Sequence, residues 1–103
     1  MAVYELTQAA EADLQAIARY TVETWGAEQT RRYGELVENH FLDIGCQKVL
    51  TRVFLKHRPE LRVSRVEHHF VFHLVREKQC PLILAVLHEN MDLMSRLRNR
   101  LEV

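Results

Sequence analysis

The hydrophobic positions in the first 45 residues recur every three or four residues, a period that predicts two consecutive helices. A short strand candidate, Val3 to Leu6, precedes them, and Thr7 is the predicted N-cap of the first helix. The first helix is predicted to bury one stripe of side chains: Ala10, Leu14, Ile17, Ala18, Thr21 and Trp25. Gly26 interrupts the pattern, and the second helix is predicted to run from about Ala27 to Gly45. Its predicted buried stripe is Tyr33, Leu36, Val37, Phe41 and Ile44.

From Leu61 onward the period changes to two, which is typical of strands. Two strands are predicted between Leu61 and Val75, and the apolar run Leu82–Leu87 predicts a central strand covered on both faces. Asp92 is the predicted cap of a final helix whose apolar residues are Leu93, Met94, Leu97 and Leu101. In residues 46–60 cations alternate with apolar side chains, and this segment is compatible with either a helical extension or an irregular basic connection. The order of elements predicts an α+β fold with the helical hairpin on one face of the sheet.

The composition predicts a single domain. Of the 103 residues 48% are apolar, so residues 1–103 are expected to form one packed core. The N-terminus has no basic region followed by an apolar stretch, and the longest apolar run, Pro81–Leu87, is too short to span a bilayer. Cys46 and Cys80 are isolated and indicate neither a disulfide framework nor a nucleophile. We therefore expect a cytoplasmic protein with reduced thiols.

The formal net charge of zero conceals an asymmetry between the two halves of the chain. Residues 1–45 hold three basic and eight acidic side chains, whereas residues 46–103 hold eleven basic and six acidic ones. In one interpretation the second half presents a basic surface to an acidic partner. In the other, the glutamates of the first half simply keep exposed helix faces solvated.

Several segments resemble one known family. The stretch Leu61–Phe72 (LRVSRVEHHFVF), followed by Ala85–Leu97 (AVLHENMDLMSRL), is similar to ParE toxins of toxin–antitoxin operons, within the RelE/ParE superfamily. Leu6–Leu14 (LTQAAEADL), Arg19–Thr21 and Trp25–Gly26 resemble the helical hairpin of the same family. The similarity covers nearly the whole chain and is weakest in residues 46–60.

The resemblance implies a RelE/ParE-like fold. In that fold an N-terminal strand and a two-helix hairpin pack on a mainly antiparallel three- to four-stranded sheet, with a short C-terminal helix. The resemblance also implies inhibition of DNA gyrase, through stabilised gyrase–DNA cleavage complexes, and neutralisation by a ParD-like antitoxin. Such an antitoxin is a ribbon-helix-helix DNA-binding protein with a toxin-wrapping C-terminal segment, so this chain is expected to make no direct nucleic-acid or membrane contact and to need no cofactor. Asn90 departs from the family pattern, because many relatives carry arginine there, and we assign it no phosphate-binding role.

The superfamily fold also carries a second activity, the cleavage of messenger RNA on the ribosome, so particular side chains must distinguish the two. Arg62 and Arg65 are candidate cations for a phosphate, and His88 or Glu89 is a candidate for proton transfer. However, no aromatic residue follows Phe72, so the base-stacking platform expected near the C-terminal helix is missing. A gyrase inhibitor with no catalytic residues is therefore favoured. The alternatives are a ribosome-dependent endonuclease and an inactive homologue that only binds antitoxin.

The candidate binding residues depend on the two faces of the predicted strands. Arg62 and Arg65 are three positions apart and project to opposite faces. Arg65 shares its face with apolar side chains, so we expect it to be buried, with Glu67 or Asp92 as its carboxylate partner, while Arg62 faces the target. The candidates for gyrase binding are Arg62, His88, Glu89, Arg96, Arg98 and Arg100. The candidates for antitoxin binding lie on a sheet face that one helical hairpin leaves poorly covered, where we expect an acidic amphipathic segment to bind: Arg65, Phe70, Phe72 and Leu74.

The histidines of the second half raise the question of a metal site. His68 and His69 are adjacent on a predicted strand and would point to opposite faces, so they are poorly placed to share an ion. His73 and His88 add no ligand spacing typical of metal sites. We therefore favour ordinary hydrogen-bonded histidines and predict no metal site.

Overall fold

A hairpin of two long helices packs on one face of a five-stranded sheet in the computed structural model, which describes residues 2–101. The elements in chain order are β1 (Glu5–Leu6), α1 (Gln8–Trp25), α2 (Ala27–Gly45), β2 (Arg52–Leu55), β3 (Arg58–Val66), β4 (His69–Leu74), β5 (Leu82–His88) and α3 (Leu93–Arg98). The strand order across the sheet is β1-β5-β4-β3-β2. Strand β1 runs parallel to β5, and all other neighbouring pairs are antiparallel. The predicted α+β architecture is confirmed.

Capping side chains and a glycine set the helix boundaries at the positions predicted from the sequence. The Thr7 hydroxyl oxygen accepts a hydrogen bond from the Ala10 amide at 3.1 Å and so caps α1, and the Asp92 carboxylate caps α3 by accepting from the Ser95 amide at 3.3 Å. Gly26 alone separates α1 from α2, and its φ of 90° is a conformation that other residues rarely adopt. The end of α2 lies against the N-terminal segment, because a Cβ on Gly45 would collide with the Val3 carbonyl group.

The sheet has a hydrophobic core on each face. The core under the helical hairpin contains Ala10, Val37, Phe41, Ile44, Val66, Val71, Ile83 and Val86. The core on the opposite face contains Leu61, Val63, Phe72, Leu84, Ala85, Leu87 and, from α3, Leu97. Strand β5 contributes to both cores, which confirms the prediction that its apolar run forms a central strand.

The segment that the sequence left open, residues 46–60, contains the unpredicted strand β2 and the start of β3. Within residues 2–101 the sheet therefore has five strands rather than three or four. A register shift between Val53 and Leu55 breaks the alternation of β2, and its two central residues, Val53 and Phe54, are both apolar. This irregularity concealed the period of two on which strand prediction depends.

A charged pair covers the part of the β5 edge that extends beyond β1. Pairing with β4 skips one residue, Leu84, and β1 pairs only with Leu82 and Ile83. The carboxylate of Asp13 on α1 accepts a hydrogen bond from the Val86 amide at 2.9 Å, and the Arg100 guanidinium donates to the Leu84 carbonyl oxygen at 3.2 Å. The two side chains join each other through contacts of 2.5 and 2.9 Å. The edge is thus satisfied without a further strand.

No helix within residues 2–101 is both long enough and apolar enough to cross a membrane.

Candidate functional site

A groove of about 980 Å³ lies between the helical hairpin and one end of the sheet. The helices contribute Tyr20, Trp25 and Leu36, which are 65%, 69% and 46% exposed, and the loop after β5 contributes Met91, which is 41% exposed. Several large apolar side chains in one concavity form a surface that soluble proteins use for binding. The groove is therefore the candidate functional site.

The sequence predicted Trp25 and Leu36 to be buried, and both predictions were wrong. Trp25 ends α1, beyond Thr21, the last buried residue of that helix, and Leu36 lies next to the buried Val37 in the middle of α2. Both side chains line the groove. The helical period in the sequence identifies Trp25 and Leu36 as members of the apolar stripes. It cannot show how much of each stripe the sheet covers.

A tyrosine and three histidines lie where the groove meets the sheet. The Tyr33 hydroxyl oxygen lies 2.5 Å from Nδ1 of His69. The ring of His88 lies 5.2 Å from that of His69 and 6.4 Å from that of His68, measured between centroids. Burial, together with the neighbouring His88 and His68, lowers the pKa of His69 to about 4, so His69 is neutral at pH 7.

Both His68 and His69 thus approach His88, although the sequence placed them on opposite faces. The reason is that His68 lies in a turn, where the preceding residue Glu67 has a φ of 53°, and only His69 belongs to a strand. Within residues 2–101 no group of three histidine, cysteine, aspartate or glutamate side chains is arranged to hold a metal ion.

Glu89 links Arg65 and His68 beside this histidine cluster. Its carboxylate lies 2.5 Å from a guanidinium nitrogen of Arg65 and 3.4 Å from Nδ1 of His68. Arg65 also donates to the Glu67 carbonyl oxygen at 2.9 Å and lies over the Phe70 ring at 5.4 Å. The carboxylate partner of Arg65 is therefore Glu89, not Glu67 or Asp92.

The exposure of Arg62 and Arg65 is the reverse of the predicted one. The side chain of Arg65 is 53% exposed. Arg62 is partly buried, and it donates to the hydroxyl oxygen and the carbonyl oxygen of Thr51 at 3.0 and 2.7 Å. The prediction that the two arginines project to opposite faces of the strand was correct. The acceptors for Arg62, however, come from Thr51, just before the unpredicted strand β2. Arg62 is thus a structural residue, whereas Arg65 is accessible to a partner.

The three arginines near the C-terminus do not share one environment. Arg96 and Arg98 are exposed on α3, whose Leu97 is buried in the second core. Arg100 is instead engaged with Asp13, and the two side chains are only 19% and 13% exposed. The expectation that Arg100 is exposed beside Arg96 and Arg98 is therefore wrong.

The predicted antitoxin-binding residues on the second sheet face are less accessible than expected. Phe72 is fully buried, with its ring 5.0 Å from that of Phe54, and Phe70 and Leu74 are partly buried. Residues of β2 and α3 pack on this face, so it is not the poorly covered surface that the sequence predicted. Phe72 cannot contact a partner in this conformation.

A polar cluster beneath α2 was not anticipated from the sequence. Nε2 of His40 lies 2.8 Å from the Ser64 hydroxyl oxygen, and both Ser64 and His73 are buried. Nδ1 of His73 is buried with no hydrogen-bond partner within residues 2–101. Burial is the largest cause, and the neighbouring Arg62 and His40 are further causes, of a pKa near 4 for His73.

The chain is similar to known toxins in its sequence and its fold. The family model described as "ParE toxin of type II toxin-antitoxin system, parDE" matches residues 4–93. A curated protein of Escherichia coli named "Toxin ParE" is 45% identical over 106 residues, an alignment that covers 99% of each chain. A solved structure described as "Chromosomal ParDE TA system from P. aeruginosa" matches with a TM-score of 0.69 and 20% identity, over 82% of this chain and 92% of that one.

Proposed function

Because the chain belongs to the ParE family of toxins of type II toxin–antitoxin systems, we propose that it inhibits DNA gyrase and that a ParD-like antitoxin neutralises it. Inhibition would consist of stabilising gyrase–DNA cleavage complexes, with no bond made or broken by this chain. The observation that carries the proposal is the match to the toxin family over nearly the full length, together with a large apolar groove that is open to a protein partner.

The groove is the proposed antitoxin site. Tyr20, Trp25 and Leu36 offer aromatic and aliphatic surface, which is the kind of surface that carries most of the free energy at protein interfaces. Arg32, which also lines the groove, is suited to a carboxylate of an amphipathic antitoxin segment. The proposed antitoxin site thus lies mainly on the helical hairpin and not on the second sheet face that the sequence predicted. Strands β4 and β5 contribute His69, Val86 and His88 to it.

The proposed gyrase-binding residues are Arg96 and Arg98, with His88 and Glu89 as further candidates. Arg96 and Arg98 are exposed, and neither forms an ion pair within residues 2–101. Exposed cations of this kind attract an acidic surface and accelerate association. Glu89 is already engaged by Arg65 and His68, which supports a binding role for it over proton transfer.

Purified protein added to gyrase and plasmid DNA is expected to increase the amount of linear, gyrase-cleaved DNA after denaturation. The Arg96→Ala/Arg98→Ala variant should weaken this effect, whereas Arg19→Ala, which removes an exposed cation of α1, should not. A parallel reaction with ribosomes and messenger RNA should show no cleavage. Cleaved RNA with unaffected gyrase would establish the endonuclease instead. Inactivity in both reactions by a protein that still binds its antitoxin would identify an inactive homologue.

Replacing Trp25 and Leu36 by serine is expected to weaken antitoxin binding by about 100-fold, since loss of central interface anchors commonly costs 2 kcal/mol or more. The melting temperature of the free toxin should stay within a few degrees, because neither side chain belongs to the buried core. Leu42→Ser is the matched control, since Leu42 is 41% exposed on α2 but does not line the groove. In the unmodified toxin Trp25 is the single tryptophan, so its fluorescence should shift to the blue when the antitoxin binds. Equal affinities for the groove variant and the control would place the antitoxin elsewhere.

A further inference from the structure

Strand β2 forms a free edge of the sheet. It is the last strand in the order, it pairs only with β3, and nothing else within residues 2–101 pairs with its outer side. An unpaired edge presents main-chain N–H and C=O groups that can bind another extended chain. The edge lies outside the groove, since no residue of β2 lines it.

The surface around this edge carries cations without counterions. Lys48, Arg52 and Lys56 are exposed, and none of them forms an ion pair within residues 2–101. Residues 46–59 contain no carboxylate at all, and the next one in the chain, Glu60, is already paired with Arg58 at 3.0 Å. The edge is therefore a local concentration of positive charge in a chain whose net charge is zero.

Protection against aggregation explains the cations at the β2 edge but not the apolar side chains exposed there. Charged side chains and bulges are common on edge strands because they discourage unwanted pairing, and β2 has both. However, Leu50 is 97% exposed just before the strand, and Val53 within it is 41% exposed. Exposed apolar side chains on an open edge work against such protection, so they indicate a surface that is covered by a partner.

We propose that the β2 edge binds an extended acidic segment of a partner protein as a sixth strand of the sheet. The main chain of β2 pairs with the incoming segment, whose carboxylates meet Lys48, Arg52 and Lys56, and an apolar side chain of the segment covers Leu50. A second copy of this chain is disfavoured, because pairing β2 with itself would bring the same cations together. Nucleic acid is disfavoured because the aromatic side chain of β2, Phe54, packs on Phe72 and is not free to stack on a base. The proposal does not depend on the proposed function.

The test uses the full-length protein and a labelled synthetic eight-residue peptide in which Glu and Val alternate, followed by fluorescence anisotropy. Arg52→Glu and Leu50→Ser should each weaken binding by about tenfold or more, and added salt should weaken it further. Arg19→Glu makes the same charge change on an exposed residue of α1 and should leave the affinity nearly unchanged. Amide hydrogen exchange in residues 52–55 should slow when the peptide is bound, which charge attraction alone would not produce.

Three outcomes would overturn the proposal. The peptide fails to bind at millimolar concentration, or Arg19→Glu weakens binding as much as Arg52→Glu does, or a duplex DNA probe binds this edge while the peptide does not. The first would leave edge protection as the whole explanation of the cations. Thermal melts of each variant show whether any loss of binding is instead a loss of folding.

Discussion

Replacing Asp13 by alanine is expected to lower the free energy of unfolding by about 3 kcal/mol, because removing one partner of a largely buried ion pair leaves the other charge without compensation. Asp13 joins three parts of the fold: α1 through its own backbone, β5 through the Val86 amide, and the C-terminal segment through Arg100. Its loss leaves the Val86 amide without its acceptor and leaves the Arg100 guanidinium with the Leu84 carbonyl oxygen but no carboxylate.

Urea unfolding of the Asp13→Ala variant gives the measurement. Gln15→Ala is the control, since Gln15 is exposed on the same helix and its loss should change stability by no more than about 0.5 kcal/mol. The double variant Asp13→Ala/Arg100→Leu should lose less than the sum of the two single losses, because it leaves no unpaired charge. An Asp13→Ala variant as stable as the Gln15→Ala control would show that the ion pair contributes nothing net to stability.

Acidification is expected to destabilise the protein through His73. This side chain is 4% exposed in the folded protein, where burial, Arg62 and His40 lower its pKa from 6.5 to about 4. In the unfolded chain it takes up a proton near pH 6.5, whereas the folded protein resists protonation until about pH 4. The contribution of neutral His73 to stability is therefore complete above pH 6.5 and is lost as the pH falls toward 4, by about 3 kcal/mol in total.

The measurement compares unfolding free energies at pH 7 and pH 4 for the unmodified protein and for His73→Leu. The variant cannot take up this proton, so its loss of stability on acidification should be smaller by about 3 kcal/mol. Other groups, including His69, titrate in both proteins and cancel in the comparison. His57→Leu is the control, because His57 is exposed in the β2–β3 turn. If acidification lowers the unfolding free energy of His73→Leu and of the unmodified protein by the same amount, His73 is ruled out as the source of acid sensitivity.

Elements that depend on local chemistry could be predicted from the sequence. Thr7 and Asp92 cap helices through contacts within four residues, and Gly26 separates the helices by its own backbone freedom. The central strand was recognisable because both of its faces are buried, which makes the run continuously apolar. None of these features requires knowledge of a distant part of the chain.

Features that depend on distant neighbours could not be predicted in the same way. Arg62 was expected to face a target because the carbonyl oxygen of Thr51, which holds it, belongs to a segment whose structure the sequence left open. The helical stripe predicts a buried Trp25 because periodicity does not reveal where the supporting sheet stops, whereas Trp25 is exposed. Arg100 was grouped with Arg96 by charge alone, although its position in space is set by Asp13, 87 residues earlier.

The parallel pairing of β1 with β5 has a consequence for synthesis on the ribosome. Thr7 and Leu84, which hold the start of α1 to β5, are 77 residues apart, so this contact forms only when most of the chain has been made. The helical hairpin is complete after Gly45, yet β5, on which α1 packs, has not yet emerged. The groove takes its walls from both regions, so it cannot form before β5 and Met91 have emerged from the ribosome. A partner that recognises the groove must therefore capture the toxin after that point, and its association rate competes directly with the time the toxin takes to reach its target.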